Sequence, residues 1–218
     1  DIRCLEPLLA TGDSHNVGVS VRVGKVMEGA NDVEAALGWR VYSPNQAEVE
    51  AAIAAGLLPA SDADELPIRC FLPLSHPVAR EDLRISGPMW IGPMGDVETM
   101  ASMTEERVLQ MCAPTYEEGD LAEWSEKDFE AERRRVVRAI RHIAGESTAI
   151  SAHHLIAVDE LASWQEKGSP PSPRRMVELL REKGYNAAVS HYAEPSFRTD
   201  APWSEIIDSM KKISATDV

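Results

Sequence analysis

The apolar rhythm of the chain changes at Gly95, and the change directs the reading towards an α+β fold. Before Gly95 the signals are those of strands. Val17, Val19, Val21 and Val23 alternate with polar or small residues, the period of a half-buried strand. Asn31-Asp32 opens a short helix over Val33 to Leu37, which Gly38 can stop. Trp39 to Tyr42 forms a second strand that Pro44 ends, and Gln46 to Ala55, rich in Ala and Glu and closed by Gly56, is a helix by propensity. Pro59 to Pro67 is an acidic loop, and Ile68 to Leu74 and Met89 to Ile91 are further apolar runs of strand length. After Gly95, helical spacing predominates over 97–111, 127–144, 153–167 and 173–183, with a last helix after Asp200. Residues 1–95 are therefore expected to form a small mixed or antiparallel sheet with helices, and residues 96–218 a mainly helical part.

That second part has a recognisable internal order. Ser172-Pro173 is a hydroxyl N-cap followed by Pro at the first helical position, and Gly184 stands where a C-terminal glycine belongs. The sequence helix, Pro-rich turn, helix, Gly, strand, loop, strand is that of a winged helix-turn-helix. Its recognition helix would be Pro173 to Leu180 and its wing Tyr185 to Arg198.

With 218 residues and 44% apolar content, the chain can bury a core without covalent staples. It contains no apolar run long enough for a membrane-spanning helix. Three widely spaced cysteines, Cys4, Cys70 and Cys112, do not make a disulfide framework, which leads to the expectation of a reducing, cytoplasmic setting. The opening Asp1-Ile2-Arg3-Cys4 reads as that of a fragment or processed chain.

The net charge of −14 demands that any nucleic-acid contact be made by a local basic patch. Arg134, Arg138 and Arg141 recur at helical spacing, while Val136, Val137, Ile140 and Ile143 turn towards a core. One reading is a basic face for RNA; the other is a solvated face whose arginines pair with Glu130, Glu132 and their neighbours. Further candidate contacts are Arg174 and Arg175 on the recognition helix and Arg22 on the first strand.

Two separated signatures carry more specific information. Residues 87–93 read Gly-Pro-Met-Trp-Ile-Gly-Pro, and residues 184–192 read Gly-Tyr-Asn-Ala-Ala-Val-Ser-His-Tyr, running on to Arg198-Thr199-Asp200-Ala201-Pro202. Leu5-Glu6-Pro7-Leu8-Leu9, followed by His15 to Val23, adds a third stretch. Together these resemble the C-terminal domain of archaeal and eukaryotic tRNA (guanine-N2)-dimethyltransferases, whose patterns run roughly G-P-L-W-I-G-P, G-Y-x-A-S-R-T-H-F with K-T-D-A-P, and E-P-L-L with D-H-Y-V-R-V-Y-V-R-V. The resemblance spans nearly the whole chain and implies a methyltransferase domain on the N-terminal side that binds S-adenosylmethionine. It implies tRNA and that N-terminal domain as partners, and adds His191, Tyr192 and Arg198 to the RNA-binding candidates.

Several residues depart from the family pattern. Val23 to Gly29 lacks the strand-turn-helix spacing of a nucleotide-binding turn, so neither a cofactor nor a catalytic residue is assigned to this segment. The cysteine pairs of a family zinc knuckle are replaced by Ser43-Pro44-Asn45-Gln46 and Leu74-Ser75-His76-Pro77. Cys70 and His76 are two ligands at most, and the adjacent His153 and His154 point apart on a helix, so no metal is assigned. For His191, a hydrogen bond that shapes the wing and an RNA contact both remain open, and Thr199-Asp200 is read as a helix cap. Trp124, Trp164 and Trp203 are read as core or interface anchors. The function expected is tRNA positioning beside a catalytic domain; the alternative is a non-catalytic winged-helix module that binds nucleic acid or protein.

Overall fold

Three small antiparallel sheets share the strands between them, in a computed structural model that describes residues 4–12, 17–24, 29–64, 66–111, 124–162, 170–191 and 195–216. The first is a two-stranded ribbon of β1 (Cys4–Gly12) and β2 (Val17–Gly24), with a register shift between Pro7 and Leu9. The valine alternation of β2 holds as backbone geometry but not as burial, because the ribbon packs against α1 and α3 through β1 and leaves the β2 valines on the outside. Val17 and Val19 are 81% and 60% exposed, which corrects the expectation of a half-buried strand.

After α1 (Gly29–Ala35), the second sheet has β3 (Leu37–Tyr42) at its centre, between β4 (Arg69–Pro73) and β5 (Ile85–Trp90). Gly38 is required where these strands meet: a Cβ there would come within 2.5 Å of Ile91 Cδ1 and closer still to the Leu72 carbonyl. The opposing Gly87 has φ +137° and backs onto the Gly38 carbonyl, so the 87–93 signature is the close-packing seam of this sheet. The helix α2 (Gln46–Ala54) covers it. Its start is fixed by a reciprocal cap, in which the Glu48 N–H donates to Asn45 Oδ1 at 3.0 Å and the Asn45 N–H donates to Glu48 Oε2 at 2.8 Å. Val41, Val49, Ala52, Leu58, Cys70 and Leu72 form the core between them.

Beyond Gly95 the expected helix over 97–111 is two helices, α3 (Val97–Ala101) and α4 (Glu105–Met111). Thr104 Oγ1 accepts from the Arg107 N–H and starts a new helix where the pattern alone would have continued the old one. Next comes α5 (Glu126–Glu146), opened by a capping box between Ser125 and Asp128. Of its apolar face, Ile143 is buried, while Val136, Val137 and Ile140 are half-buried.

The expected helix over 153–167 is overturned for its described part, which is β6 (His154–Ala157) followed by the short α6 (Val158–Ala162). The cause is tertiary: β6 pairs with β8 (Ser196–Thr199), which in turn pairs with β7 (Ala187–Val189) in the order β6-β8-β7. Packed on this sheet are α7 (Pro173–Glu182) and α8 (Trp203–Thr216), with Ile156, Leu161, Met176, Leu180, Phe197 and Ile206 at the centre of the largest core cluster.

Thr199 and Asp200 do not cap a helix. The Asp200 carboxylate accepts from the Asn186 N–H at 2.9 Å and its side-chain amide at 2.7 Å, and Thr199 Oγ1 donates to the Asn186 carbonyl at 2.8 Å, latching the entry of β7 to the exit of β8. Residues on either side of Gly95 are joined directly. Ile68 lies in the largest core cluster, the Trp203 N–H donates to Asp62 at 2.9 Å, and Arg69 pairs with Glu160 at 2.9 Å. Among the described residues no helix is long and apolar enough to cross a membrane.

A candidate nucleic-acid interface between two helices

Residues 133, 134, 138 and 141 of α5 follow the spacing that gathers side chains on one helical face, and all four arginines are exposed. Arg174 is exposed in the first turn of α7, where Pro173 occupies the first helical position. The fold brings these two helices together. Arg133, Arg134, Arg138, Arg141, His142 and Arg174 line a groove of about 620 Å³ in which, among the described residues, Glu105 is the only carboxylate of the lining. An adjoining hollow of about 290 Å³ shares Arg141, His142 and Arg174 and reaches Arg181 and the β7 residues Ala188 and Val189.

The sequence left open whether these arginines face partners or solvent, and the ion pairs divide them. Arg141 meets Glu105 at 3.0 Å and Arg134 meets Glu130 at 3.7 Å, both well exposed and therefore weak. Arg133, Arg138 and Arg174 have no ion pair among the described residues. Their field is felt by His142, whose pKa is held below the ordinary histidine value by burial first and then by Arg138 and Arg174. In a chain with 36 acidic and 22 basic residues, this is a concentrated positive surface.

The C-terminal end of α5 is anchored by Glu146, which is fully buried. Its carboxylate accepts from Arg198 Nε at 2.8 Å and from the His191 N–H at 2.8 Å, meets His191 Nδ1 at 2.5 Å, and lies 3.3 Å from Ser190 Oγ. His191 Nε2 in turn meets the Ala10 carbonyl at 2.5 Å, linking the cluster to β1. Burial pushes the Glu146 pKa up, and His191 and Arg198 more than reverse the shift, leaving the carboxyl below its usual range.

The family described as N2,N2-dimethylguanosine tRNA methyltransferase matches residues 2–211. The chain belongs to this family. It is 26% identical over 215 residues to the tRNA (guanine(26)-N(2))-dimethyltransferase of Aeropyrum pernix, a match that covers 98% of this chain and 44% of that protein. The chain thus spans less than half the length of that curated relative. In structure it resembles the complex of Trm1 from Pyrococcus horikoshii with S-adenosyl-L-methionine, with a TM-score of 0.61 and 13% identity over 94% of this chain and 43% of that one. At that identity the likeness establishes the fold.

The remaining RNA-binding candidates of this family member are scattered. Arg175 is exposed but pairs with Glu178 at 3.2 Å, and Arg22 is exposed on the β2 ribbon; neither lines the groove. Tyr192 lies outside the described residues, as does Trp164. His191 and Arg198, named as RNA-binding candidates, have side chains only 2% and 6% exposed, because both serve the buried Glu146 carboxylate; of the two readings left open for His191, the geometry matches the hydrogen bond. Trp203 is buried, and Trp124 is 38% exposed.

Sequence reasoning passed over Arg133 and Arg181, although Arg133 belongs to the same basic run and Arg181 follows Arg174 by seven residues, two helical turns. Among the described residues no group of three His, Cys, Asp or Glu side chains is placed to hold a metal ion.

Proposed function

We propose that the chain is the tRNA-positioning C-terminal part of an S-adenosylmethionine-dependent tRNA (guanine-N2)-dimethyltransferase acting in the cytoplasm. Family membership supplies the reaction class. The observation that carries the positioning role is the α5–α7 groove, where Arg133, Arg138 and Arg174 are presented by two helices with no carboxylate bound to them among the described residues. Guanidinium groups so placed suit the phosphates of a folded RNA, which fix register without reading sequence. The order α6, α7, β7, β8 is read as winged-helix-like, with α7 carrying Arg174 to the RNA. The exposed valines of β2 form an apolar ribbon suited to packing against the methyltransferase domain, which would bind the cofactor. With the tRNA body gripped on this side, the target base is withdrawn from its stack on the other.

The test is a tRNA-binding titration of the chain across a salt series, with the R134A/R138A/R141A variant and a variant that adds R174A. Binding by the unaltered chain should weaken steeply with salt. Each lost phosphate contact lowers the magnitude of the log–log slope by about 0.9, so the triple variant should lower it by up to about 2.7. No saturable binding at low salt, or identical slopes for chain and variants, would overturn the positioning role in favour of a protein-interaction module.

A further inference from the structure

A second cleft lies away from the groove, between the β3–β5 sheet and the segment that enters β6. It encloses about 420 Å³, within the range of about 300–1,000 Å³ found for small-ligand sites. Its basic lining is Arg40, Arg69, Arg198 and His153, and among the described residues no Asp or Glu lines it, in a chain of net charge −14. The apolar part of the wall includes Phe71, Trp90, Ile91, Ile150 and Leu155. None of these residues lines the α5–α7 groove.

Arg198 carries the argument furthest. Its side chain is more than nine-tenths buried and its Nε is committed to Glu146, yet its Nη2 is buried without a hydrogen-bond partner among the described residues. A buried guanidinium N–H left unpaired costs on the order of 1–3 kcal/mol or more, and Arg198 lines the cleft, so an acceptor seated there would meet a guanidinium whose hydrogen bonds among the described residues are incomplete. Arg69 is also largely buried. Its pKa is lowered by burial and partly restored by Glu160, which is its ion-pair partner at 2.9 Å and lies outside the lining. Arg40 is held in place by Tyr42, with its guanidinium 4.4 Å from the ring centroid and its Nη2 on the phenol oxygen. Three fixed guanidiniums beside an aromatic and aliphatic wall match an anion joined to a planar apolar ring.

We propose that this cleft binds one nucleotide unit, with its phosphate on Arg198, Arg69 and Arg40 and its base against the Phe71, Trp90 and Ile91 wall. The site is independent of the groove reading. The same chemistry is offered by a free mononucleotide and by a single nucleotide of an RNA strand, and the experiment separates them.

Calorimetric titrations of the 218-residue chain would use inorganic phosphate, adenosine, adenosine 5′-monophosphate and a short oligoadenylate, with the oligoadenylate titrated also into R138A/R174A to silence the groove. Two variants address the cleft without touching the buried cluster: R40Q removes a guanidinium, and S151D sets a carboxylate at an exposed lining position. The expected result is saturable binding of the monophosphate that is weakened about tenfold or more in R40Q and in S151D and unchanged in R138A/R174A, with adenosine and phosphate each far weaker. Binding of oligoadenylate alone, with the same response to R40Q and S151D, also supports the site and assigns it to an RNA nucleotide. The proposal is overturned if neither nucleotide probe binds. Binding that is indifferent to both cleft variants, or phosphate binding as tight as monophosphate binding, overturns it equally.

Discussion

Replacing Glu146 by Gln keeps the shape of the side chain and one acceptor oxygen but removes the charge that balances Arg198. The carboxylate is fully buried, and the guanidinium it neutralises is 6% exposed, so water cannot take over its role. Breaking one side of a buried ion pair typically costs about 3–5 kcal/mol. For a chain of this size each kcal/mol moves the melting temperature by about 2–4 °C, so E146Q should melt roughly 6–20 °C lower, as followed by far-ultraviolet circular dichroism. The charge origin is checked by E146M/R198M, which removes both ions and should recover more than half of the loss.

The pH dependence gives an independent check. The folded carboxyl is held below its ordinary value, so the unfolded chain binds more protons on the acid side. The stabilisation is therefore complete above about pH 4.3, the unfolded glutamate value, and is lost as the pH falls through the lower folded value. E146Q should lack that part of the acid-side slope. A loss below about 1 kcal/mol, together with an unchanged slope, would refute the assignment of Glu146 as the charge that holds α5 to the sheet.

Three further outcomes follow from other parts of the fold. Gly38→Ala forces a methyl against the Leu72 carbonyl and Ile91, and should cost about 1–3 kcal/mol in urea unfolding; a neutral result would mean that the β3–β5 seam relaxes freely. Burial pushes the Cys70 thiol up to about 12, so at pH 8 its modification by a thiol reagent should be limited by opening of the fold and accelerate with denaturant, whereas rapid reaction in buffer would contradict its burial. His154 is buried, 3.7 Å from Asp62 and with its ring centroid 4.8 Å from that of Trp203 in a tilted contact, and burial holds its pKa below the ordinary value. Its contribution is complete above about pH 6.5 and declines as the pH falls towards the lower folded value, so His154→Gln should flatten the stability profile below about pH 6.5; equal slopes in the two proteins would exclude this.

What the residues disclose depends on how local the cause is. The α2 helix is legible because Gln46 to Ala55 is rich in Ala and Glu and stops before Gly56, and the arginine face of α5 is legible because helical spacing repeats within one element. The β6 strand was hidden: His154 to Ala157 has no strong local preference, and its strand state comes from the partner β8, 45 residues away by its register of His154 with Thr199. The burial of β2 was misjudged for a related reason, since alternation reports a pleat and says nothing of whether a second layer lies on it. The Glu146 cluster was beyond local reasoning altogether. Its members stand 44 to 52 residues from Glu146, and nothing in the surrounding spacing links them. The groove was half visible, because α5 announced its arginines while the contribution of Arg174 depended on how α7 docks.

The anchoring of α5 makes the helix a cantilever. Its last turn is fixed at Ile143 and Glu146, whereas its residues from Glu126 to Arg141 are exposed or half-buried, and at about 1.5 Å per residue Arg134 stands some 18 Å from the fixed end. Deflection of such a beam grows towards its tip. Arg141 would therefore meet a phosphate already close to its final position, while Arg133 and Arg134 would sweep a wider arc and lose more freedom when held. A rigid root and a yielding tip let one helix fix the register of a ligand at one end and accommodate its irregular shape at the other.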